Sequence, residues 1–117
     1  MKTINELTEK ILDFRNCRDW QQFHKPKDVA AALAIESGEL QEHFLWKSHE
    51  ECDRHIKENK DAVAEEMADV GIYLMLMASD AGIDLGEAIE TKLKINEKRY
   101  PADKAKGSNA KYTNYKN

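Results

Sequence analysis

The chain has little of the material from which β-rich or disulfide-bonded proteins are built. Its 117 residues include only two prolines and five glycines, too few for the many tight turns of a β-sandwich. Cys17 and Cys52 lie far apart in the sequence and form no CxxC pair. That spacing argues against a disulfide framework or a zinc site and favours a reducing compartment. We therefore expect an all-α fold in a cytoplasmic protein.

The chain also lacks long apolar runs and a basic excess. Its longest apolar run, Val70–Ala78, falls well short of the ~20 residues of a membrane-spanning helix, and residues 1–6 contain no signal-peptide core. Eighteen Lys and Arg against twenty-two Asp and Glu give a net charge of −4. A nucleic-acid-binding surface normally shows a clustered basic excess. We expect neither a membrane nor a nucleic acid as partner.

Apolar residues recur at helical spacing in four segments. The pattern predicts helices from Thr3 over about four turns, from Asp28 to about Trp46, from about Asp61 to Ser79, and from Asp84 towards Tyr100. Arg18–Pro26 breaks the period and predicts a structured loop, and Lys47–Lys60 predicts a polar connector with or without a short helix. The division into domains is predicted as residues 1–101 and a Lys- and Asn-rich tail, 102–117, which is extended or partly disordered.

The third predicted helix is apolar on two sides. Val63, Met67 and Val70 belong to one stripe, while Ile72, Met75 and Leu76 add a second apolar face. A helix with two apolar faces has to be buried on both. In so small a protein this predicts an interface with another copy of the chain.

Two pairs of carboxylates interrupt these apolar helices. Glu36 and Glu39 are three residues apart, as are Glu66 and Asp69. That spacing puts both members of a pair on one helix face. If the two helices pack together, four carboxylates meet and repel one another unless cations neutralise them. Hard oxygen ligands in that number suit Mg²⁺ or Mn²⁺. The alternative is that each pair is a solvated face.

Other residues near these pairs carry weaker signals. Trp46 is expected on the same helix face as Glu36 and Glu39, and Tyr73 lies four residues after Asp69. Both could stack on a nucleobase near a metal, or belong to the core. A di-iron centre would need Glu-x-x-His on two helices, and no histidine here has Glu three residues before it. His43 is interpreted as an interior histidine.

Taken together, the motifs resemble those of the MazG-like all-α nucleoside triphosphate pyrophosphohydrolases, most closely the dCTP pyrophosphatase branch. The resemblance extends from about Leu12 to Thr113. It rests on Arg18-Asp19-Trp20-x-Gln22-Phe23-His24-x-Pro26, Glu36-x-Gly38-Glu39-Leu40, Phe44-x-Trp46-Lys47, Glu65-Glu66-x-x-Asp69-Val70-x-Ile72-Tyr73-Leu74, Lys92-x-x-x-Asn96-x-x-Arg99-Tyr100-Pro101-Ala102 and Lys111-Tyr112-Thr113.

The resemblance implies a four-helix protomer that assembles as a dimer of dimers. It implies Mg²⁺-dependent hydrolysis of a deoxynucleoside triphosphate to the monophosphate and pyrophosphate, in the service of nucleotide-pool sanitising. By position, the metal ligands and catalytic residues would be Glu36, Glu39, Glu66 and Asp69. The substrate-binding residues would be Trp20, Phe23, His24, Trp46, Tyr73, Lys92, Asn96 and Arg99.

The chain departs from the dCTP branch at one position. That branch carries a histidine nine residues before the tryptophan of its Asp-Trp pair, where this chain has Ile11. The base preference is therefore open among dCTP, dUTP, modified cytosines and a broader range. A non-catalytic helical module that binds nucleotides or mediates assembly is the alternative function.

Overall fold

The computed structural model describes residues 1–115, and every regular element in that range is helical. The helices are α1 Ile4–Cys17, α2 Pro26–Glu42, α3 His49–Glu58, α4 Lys60–Asp80, α5 Leu85–Arg99 and α6 Ala102–Ala105, with 3-10 turns at Gln21–Phe23 and Tyr112–Asn114. The all-α prediction is confirmed, although the described residues form six α-helices where four were predicted. Lys116 and Asn117, the end of the predicted tail, lie outside the described residues. None of the helices described is both long and apolar enough to cross a membrane.

The two additional helices are α3 and α6. The Ser48 hydroxyl accepts a hydrogen bond from the Glu51 N–H, and the Glu51 carboxylate accepts one from the Ser48 N–H. This reciprocal capping box starts a helix even in a polar sequence. Only Asn59 separates α3 from α4, so the predicted connector is mostly helical. The short helix α6 follows Pro101 inside the predicted tail.

The second helix starts and ends at different residues from those predicted. Pro26 lies in its first turn, and the N-cap is Lys25 in place of Asp28. The fixed φ of proline suits the first helical position. The helix ends at Glu42, and the chain then turns to Trp46, whose φ is +63°. A left-handed residue cannot continue a right-handed helix, so the predicted extension of this helix to Trp46 is wrong.

Helices α2 and α4 pack along each other in the first compact unit, Met1–Ile83. Pro26 at the start of α2 shares a small cavity with Asp80 at the end of α4. Glu39, near the end of α2, approaches Glu66, near the start of α4. The two helices are therefore antiparallel, with their carboxylate pairs side by side.

The buried core of this unit is small. Its apolar members are Val29, Val63, Leu76 and Ala78. The Arg15 guanidinium donates two hydrogen bonds to the Asp80 carboxylate, at 2.7 and 3.0 Å, and ties the end of α1 to the end of α4. With so few side chains buried, much of the apolar surface predicted from the sequence stays exposed, including Met67 and Ile72 on α4.

The second compact unit begins at Asp84. The Asp84 carboxylate accepts a hydrogen bond from the Glu87 N–H and caps α5, the helix predicted to start at Asp84. After α5, the Tyr100 ring meets Tyr112 and Tyr115 edge-on, with ring centroids 5.7 and 5.9 Å away. These contacts order part of the segment for which an extended or disordered tail was expected. The predicted division after residue 101 stays a prediction.

Candidate metal centre

Three of the four predicted carboxylates form one group. Glu36 and Glu39 lie on α2 and Glu66 lies on α4, and one oxygen of each is within 4.8 Å of the others. The three-residue spacing on α2 puts Glu36 and Glu39 on the side of the helix that faces α4. The antiparallel packing then brings Glu66 opposite them. This group is called the carboxylate cluster below.

The environment of the carboxylate cluster disfavours negative charge. Burial, a hydrogen bond with Glu39 and the charges of Glu39, Asp69 and Glu66 together raise the pKa of Glu36 to about 7. Burial, with the hydrogen bond and charge of Glu39, also raises the pKa of Glu66. Among the described residues, the Oε2 atoms of Glu36 and Glu66 are buried and have no hydrogen-bond partner. A cation at this place would stabilise all of these oxygens.

Asp69 lies one turn after Glu66 on α4. Its oxygens are not in the 4.8 Å group, yet its charge helps to raise the pKa of Glu36 and of Glu66. Carboxylate oxygens are hard ligands that suit Mg²⁺ or Mn²⁺. Three grouped carboxylates, two of them with orphaned oxygens, fit a divalent cation, and Asp69 is placed to complete its surroundings.

A polar pocket of about 350 Å³ adjoins the carboxylate cluster. It is lined by Glu39, Glu42, His43, Lys47, His55 and Glu66. In the sequence, Lys47 belongs to the Phe44-x-Trp46-Lys47 motif, whereas no motif includes His55. The one sequence signal for this pocket is that His43 follows Glu39 by one helical turn, although His43 was interpreted as an interior residue.

The aromatic residues predicted to form one nucleotide pocket lie at opposite ends of α2. Trp46 follows its C-terminal end and is 94% exposed. His24 precedes its N-terminal end and lines a cavity of about 90 Å³ with Pro26 and Met77. About 15 Å of helix separates Pro26 from Glu36, at 1.5 Å per residue. Within one chain, His24 and Trp46 therefore flank the carboxylate cluster from two sides, and Trp46 does not extend the helix face of Glu36.

The other predicted substrate residues fall into three places. Trp20 packs edge-on against Phe14, with ring centroids 5.7 Å apart, and Phe23 is exposed in the 3-10 turn. Tyr73 is half-buried on α4, one turn beyond Asp69. Lys92, Asn96 and Arg99 lie on α5 in the second unit, where their spacing puts them on one helix face.

The opposite side of α4 forms an open apolar groove against α1. The groove has a volume of about 470 Å³ and is lined by Leu7, Lys10, Ile11, Phe14, Ala68, Gly71, Ile72 and Met75. Ile72 and Met75 belong to the second apolar face predicted from the sequence. Ile11, the residue at which the chain departs from the dCTP branch, lies in this apolar groove.

Comparisons with known proteins agree with these features. The model of the MazG-like family matches residues 31–114. The proteins named dCTP pyrophosphatase 1 from Rattus norvegicus and Homo sapiens are each 39% identical to this chain over 113 residues. The match covers 95% of this chain and 66% of each relative. The chain thus spans about two thirds of the length of these curated relatives.

A solved structure gives the same result for the fold. The crystal structure of a pyrophosphatase from Archaeoglobus fulgidus superposes with a TM-score of 0.81 at 37% sequence identity. The match covers 86% of this chain and 94% of that chain. At that identity and coverage the likeness extends to the sequence as well as to the arrangement of helices.

Proposed function

Because this chain belongs to the MazG-like family, we propose that it is a nucleotide pyrophosphohydrolase. Its substrate is a deoxynucleoside triphosphate, which it cleaves to the monophosphate and pyrophosphate. The observation that carries the proposal is the carboxylate cluster of Glu36, Glu39 and Glu66 between α2 and α4. The names of the relatives, dCTP pyrophosphatase 1 and pyrophosphatase, support the same class of reaction.

The carboxylates of the cluster, with Asp69, would hold Mg²⁺, for which Mn²⁺ could substitute. When bound, the cation neutralises phosphate charge and makes a coordinated water more acidic. The side chains of the site would orient the phosphate groups and leave room for a water in line with the α-phosphorus. A bond forms from the water oxygen to the α-phosphorus as the bond to the bridging oxygen of pyrophosphate breaks. Glu39 is the most exposed member of the cluster, and it accepts the proton of the water.

The preferred substrate is dCTP or a related pyrimidine deoxynucleotide. The named relatives support cytosine, while Ile11 in the apolar groove removes a polar side chain that the dCTP branch carries. Trp46 stacks on the base, Tyr73 contacts the substrate, and Trp20, Phe23 and His24 line the base and sugar pocket. Because Trp46 and His24 flank the cluster from two sides, a complete pocket needs residues from a second copy.

A homo-oligomer, with a dimer of dimers as its full form, accounts for the surface that one chain leaves uncovered. The apolar groove between α1 and α4 would be closed by another copy, since large apolar patches mark interaction sites. Lys92, Asn96 and Arg99 would contact the phosphates or the base of a substrate bound by another copy of the chain. We place this activity in the cytoplasm, in keeping with the free thiols of Cys17 and Cys52.

The test is pyrophosphate release from a panel of dATP, dCTP, dGTP, dTTP, dUTP and 5-methyl-dCTP with Mg²⁺. We expect turnover with a pyrimidine deoxynucleotide as the best substrate, and loss of turnover when the metal is chelated. Binding of a nucleotide without pyrophosphate release would instead support the non-catalytic module. Equal turnover of all six would leave the enzyme class intact and contradict the pyrimidine preference.

A further inference from the structure

A chain of hydrogen bonds ends in the polar pocket beside the carboxylate cluster. The Asn59 side-chain NH₂ lies 3.3 Å from the His55 carbonyl oxygen and 3.2 Å from His55 Nδ1. The carbonyl oxygen can only accept, so this contact identifies the amide NH₂ as the group that faces His55. The second N–H of the same group donates to His55 Nδ1. His55 Nε2 in turn lies 2.8 Å from His43 Nδ1.

These contacts determine the tautomers of both imidazoles. Because His55 Nδ1 accepts from Asn59, the proton of the neutral His55 ring lies on Nε2 and is donated to His43 Nδ1. His43 Nδ1 then accepts, and the proton of its neutral ring lies on Nε2. Burial and the charge of Lys47 lower the pKa of His55, which favours the neutral form of that ring. The His43 Nε2–H is the donor at the end of the chain.

The packing holds this arrangement in place. His43 is the C-cap residue of α2 and His55 lies on α3, so the pair joins the two elements. Their ring centroids are 5.0 Å apart, and the Phe44 ring meets His55 edge-on at 6.1 Å. The donor is therefore fixed relative to α2, the helix that carries Glu36 and Glu39.

We propose that His43 donates this hydrogen bond to a phosphate oxygen of the nucleotide bound at the carboxylate cluster. Lys47 contributes a positive charge to the same pocket, and His55 and Asn59 are positioning residues for His43. The inference rests on the proposed function, because that function supplies the phosphate. It adds a phosphate-binding side to the site that the carboxylates alone do not provide.

The composition of the pocket supports this assignment by elimination. Phosphate oxygens accept hydrogen bonds, and the carboxylates of Glu39, Glu42 and Glu66 cannot donate once they are ionised. His55 uses both ring nitrogens within the chain of hydrogen bonds. Of the residues that line the pocket, His43 and Lys47 are left as donors. A metal-bound phosphate still exposes oxygens that the metal does not contact, and these can use such donors.

The direct test compares His43→Leu and His43→Gln with the unmodified protein. The probes are inorganic pyrophosphate and dCMP, each titrated with Mg²⁺ in a calorimeter, since the two products together include all three phosphates. We expect His43→Leu to weaken binding of at least one product about 10- to 100-fold, as for a hydrogen bond to a charged group. His43→Gln keeps an N–H donor and should recover part of the loss. Unchanged affinity for both products in His43→Leu would overturn the proposal.

The positioning role is tested at His55. His55→Leu should raise KM with a smaller change in kcat, whereas His55→Gln keeps an acceptor for Asn59 and a donor for His43 and should restore KM. His49→Leu, on the same helix but outside the pocket, is the matched control and should change neither. If His55→Leu lowers the melting temperature without a change in KM, the pair has a structural role only, and the proposal is wrong.

A readout independent of activity is the tautomer of each ring in the metal-free protein. Two-bond ¹⁵N–¹H correlation spectra should show the Nε2–H tautomer for both His43 and His55. A proton on Nδ1 of His43 would overturn the proposal even if the enzyme is active. If the protein hydrolyses no nucleotide but binds pyrophosphate through His43, the proposed function fails while this inference stands. If it hydrolyses nucleotides and His43→Leu binds both products normally, only this inference fails.

Discussion

The two sides of α4 have opposite chemical character, although the residues on each side recur at the same helical spacing. On the side that faces α2, Glu66 meets Glu36 and Glu39 in a cluster with too much negative charge. On the side next to α1, Ile72 and Met75 line an apolar groove that is open to solvent. A cation would neutralise the carboxylates on one side, and an apolar partner would cover the groove on the other. One helix thus joins a candidate reaction centre to a candidate interface.

Because of this difference, α4 is not divided into one apolar and one solvated side. A surface helix normally has one apolar and one solvated side. Here, the polar Glu66 faces α2 while the apolar Ile72 and Met75 line an open groove, so polarity alone does not identify the buried side. Substitutions on the two sides should therefore have separable consequences, on turnover for the cluster and on assembly for the groove.

The largest effect is expected from neutralising one carboxylate of the cluster. Glu39→Gln keeps the side-chain volume but removes a hard ligand and a charge, and turnover should fall at least ~100-fold, as for losses at metal sites. The fold should survive, because the substitution relieves repulsion. Steady-state kinetics with Mg²⁺ and a thermal melt measure both. The control is Glu65→Gln, which changes an exposed glutamate on α4 and should keep normal turnover. Near-normal activity of Glu39→Gln would show that Glu39 is not part of the site.

The next substitution tests the apolar side. Met75→Lys puts a charge into the groove and should leave a folded protomer that no longer assembles, since a buried unpaired charge is strongly disfavoured. Leu76→Lys is the matched variant, because the adjacent Leu76 is only 3% exposed within its own chain, and it should unfold the protomer. Light scattering and circular dichroism separate the two outcomes. An unmodified protein that scatters as a 13.5 kDa particle at micromolar concentration would contradict the proposed assembly.

Parts of both sides of α4 were predictable because they depend on local spacing. The bounds of α4 were predicted to within one residue at each end, and the carboxylate pairs follow from positions three residues apart. The turn at Trp46 was not predictable, since apolar residues such as Phe44 continue the helical period past Glu42. The contact of His43 with His55 depends on the angle between α2 and α3, which only tertiary packing determines.

Trp46 provides a third and smaller effect. Its ring is 94% exposed in one chain, so a core role within the protomer is excluded and Trp46→Ala should leave the melting temperature nearly unchanged. Loss of base stacking, about 1–3 kcal/mol, should raise KM for the preferred nucleotide by roughly 5- to 150-fold and narrow the discrimination among bases. Kinetics across the nucleotide panel measure this. An unchanged KM would show that Trp46 does not belong to the nucleotide pocket. A changed particle size would show that Trp46 belongs to the interface between copies.

The smallest effect expected is the pH dependence of stability, and it sharpens the comparison because the carboxyl groups with raised pKa values belong to the carboxylate cluster and not to the apolar groove. The pKa of Glu36 is raised to about 7, from 4.5. Between these values the folded chain holds more protons than the unfolded one, so in the absence of metal this group stabilises the fold at pH 5 and loses that contribution as the pH rises through about 7. The pKa of Glu66 is also raised, which adds in the same direction.

Magnesium should act in the opposite sense, because it binds the ionised carboxylates and so competes with protons. We expect almost no change of melting temperature with Mg²⁺ at pH 5, and an increase of about 10 °C at pH 8 with Mg²⁺ at about 100 times its Kd. Differential scanning fluorimetry at four pH values, with Mg²⁺ or with EDTA, measures this. Glu36→Gln is the matched control: it should flatten the metal-free pH dependence, because it removes the carboxyl group whose pKa is raised to about 7. Equal Mg²⁺ shifts at pH 5 and pH 8 would mean that the ion binds away from the cluster, and the two sides of α4 would no longer differ in the way described.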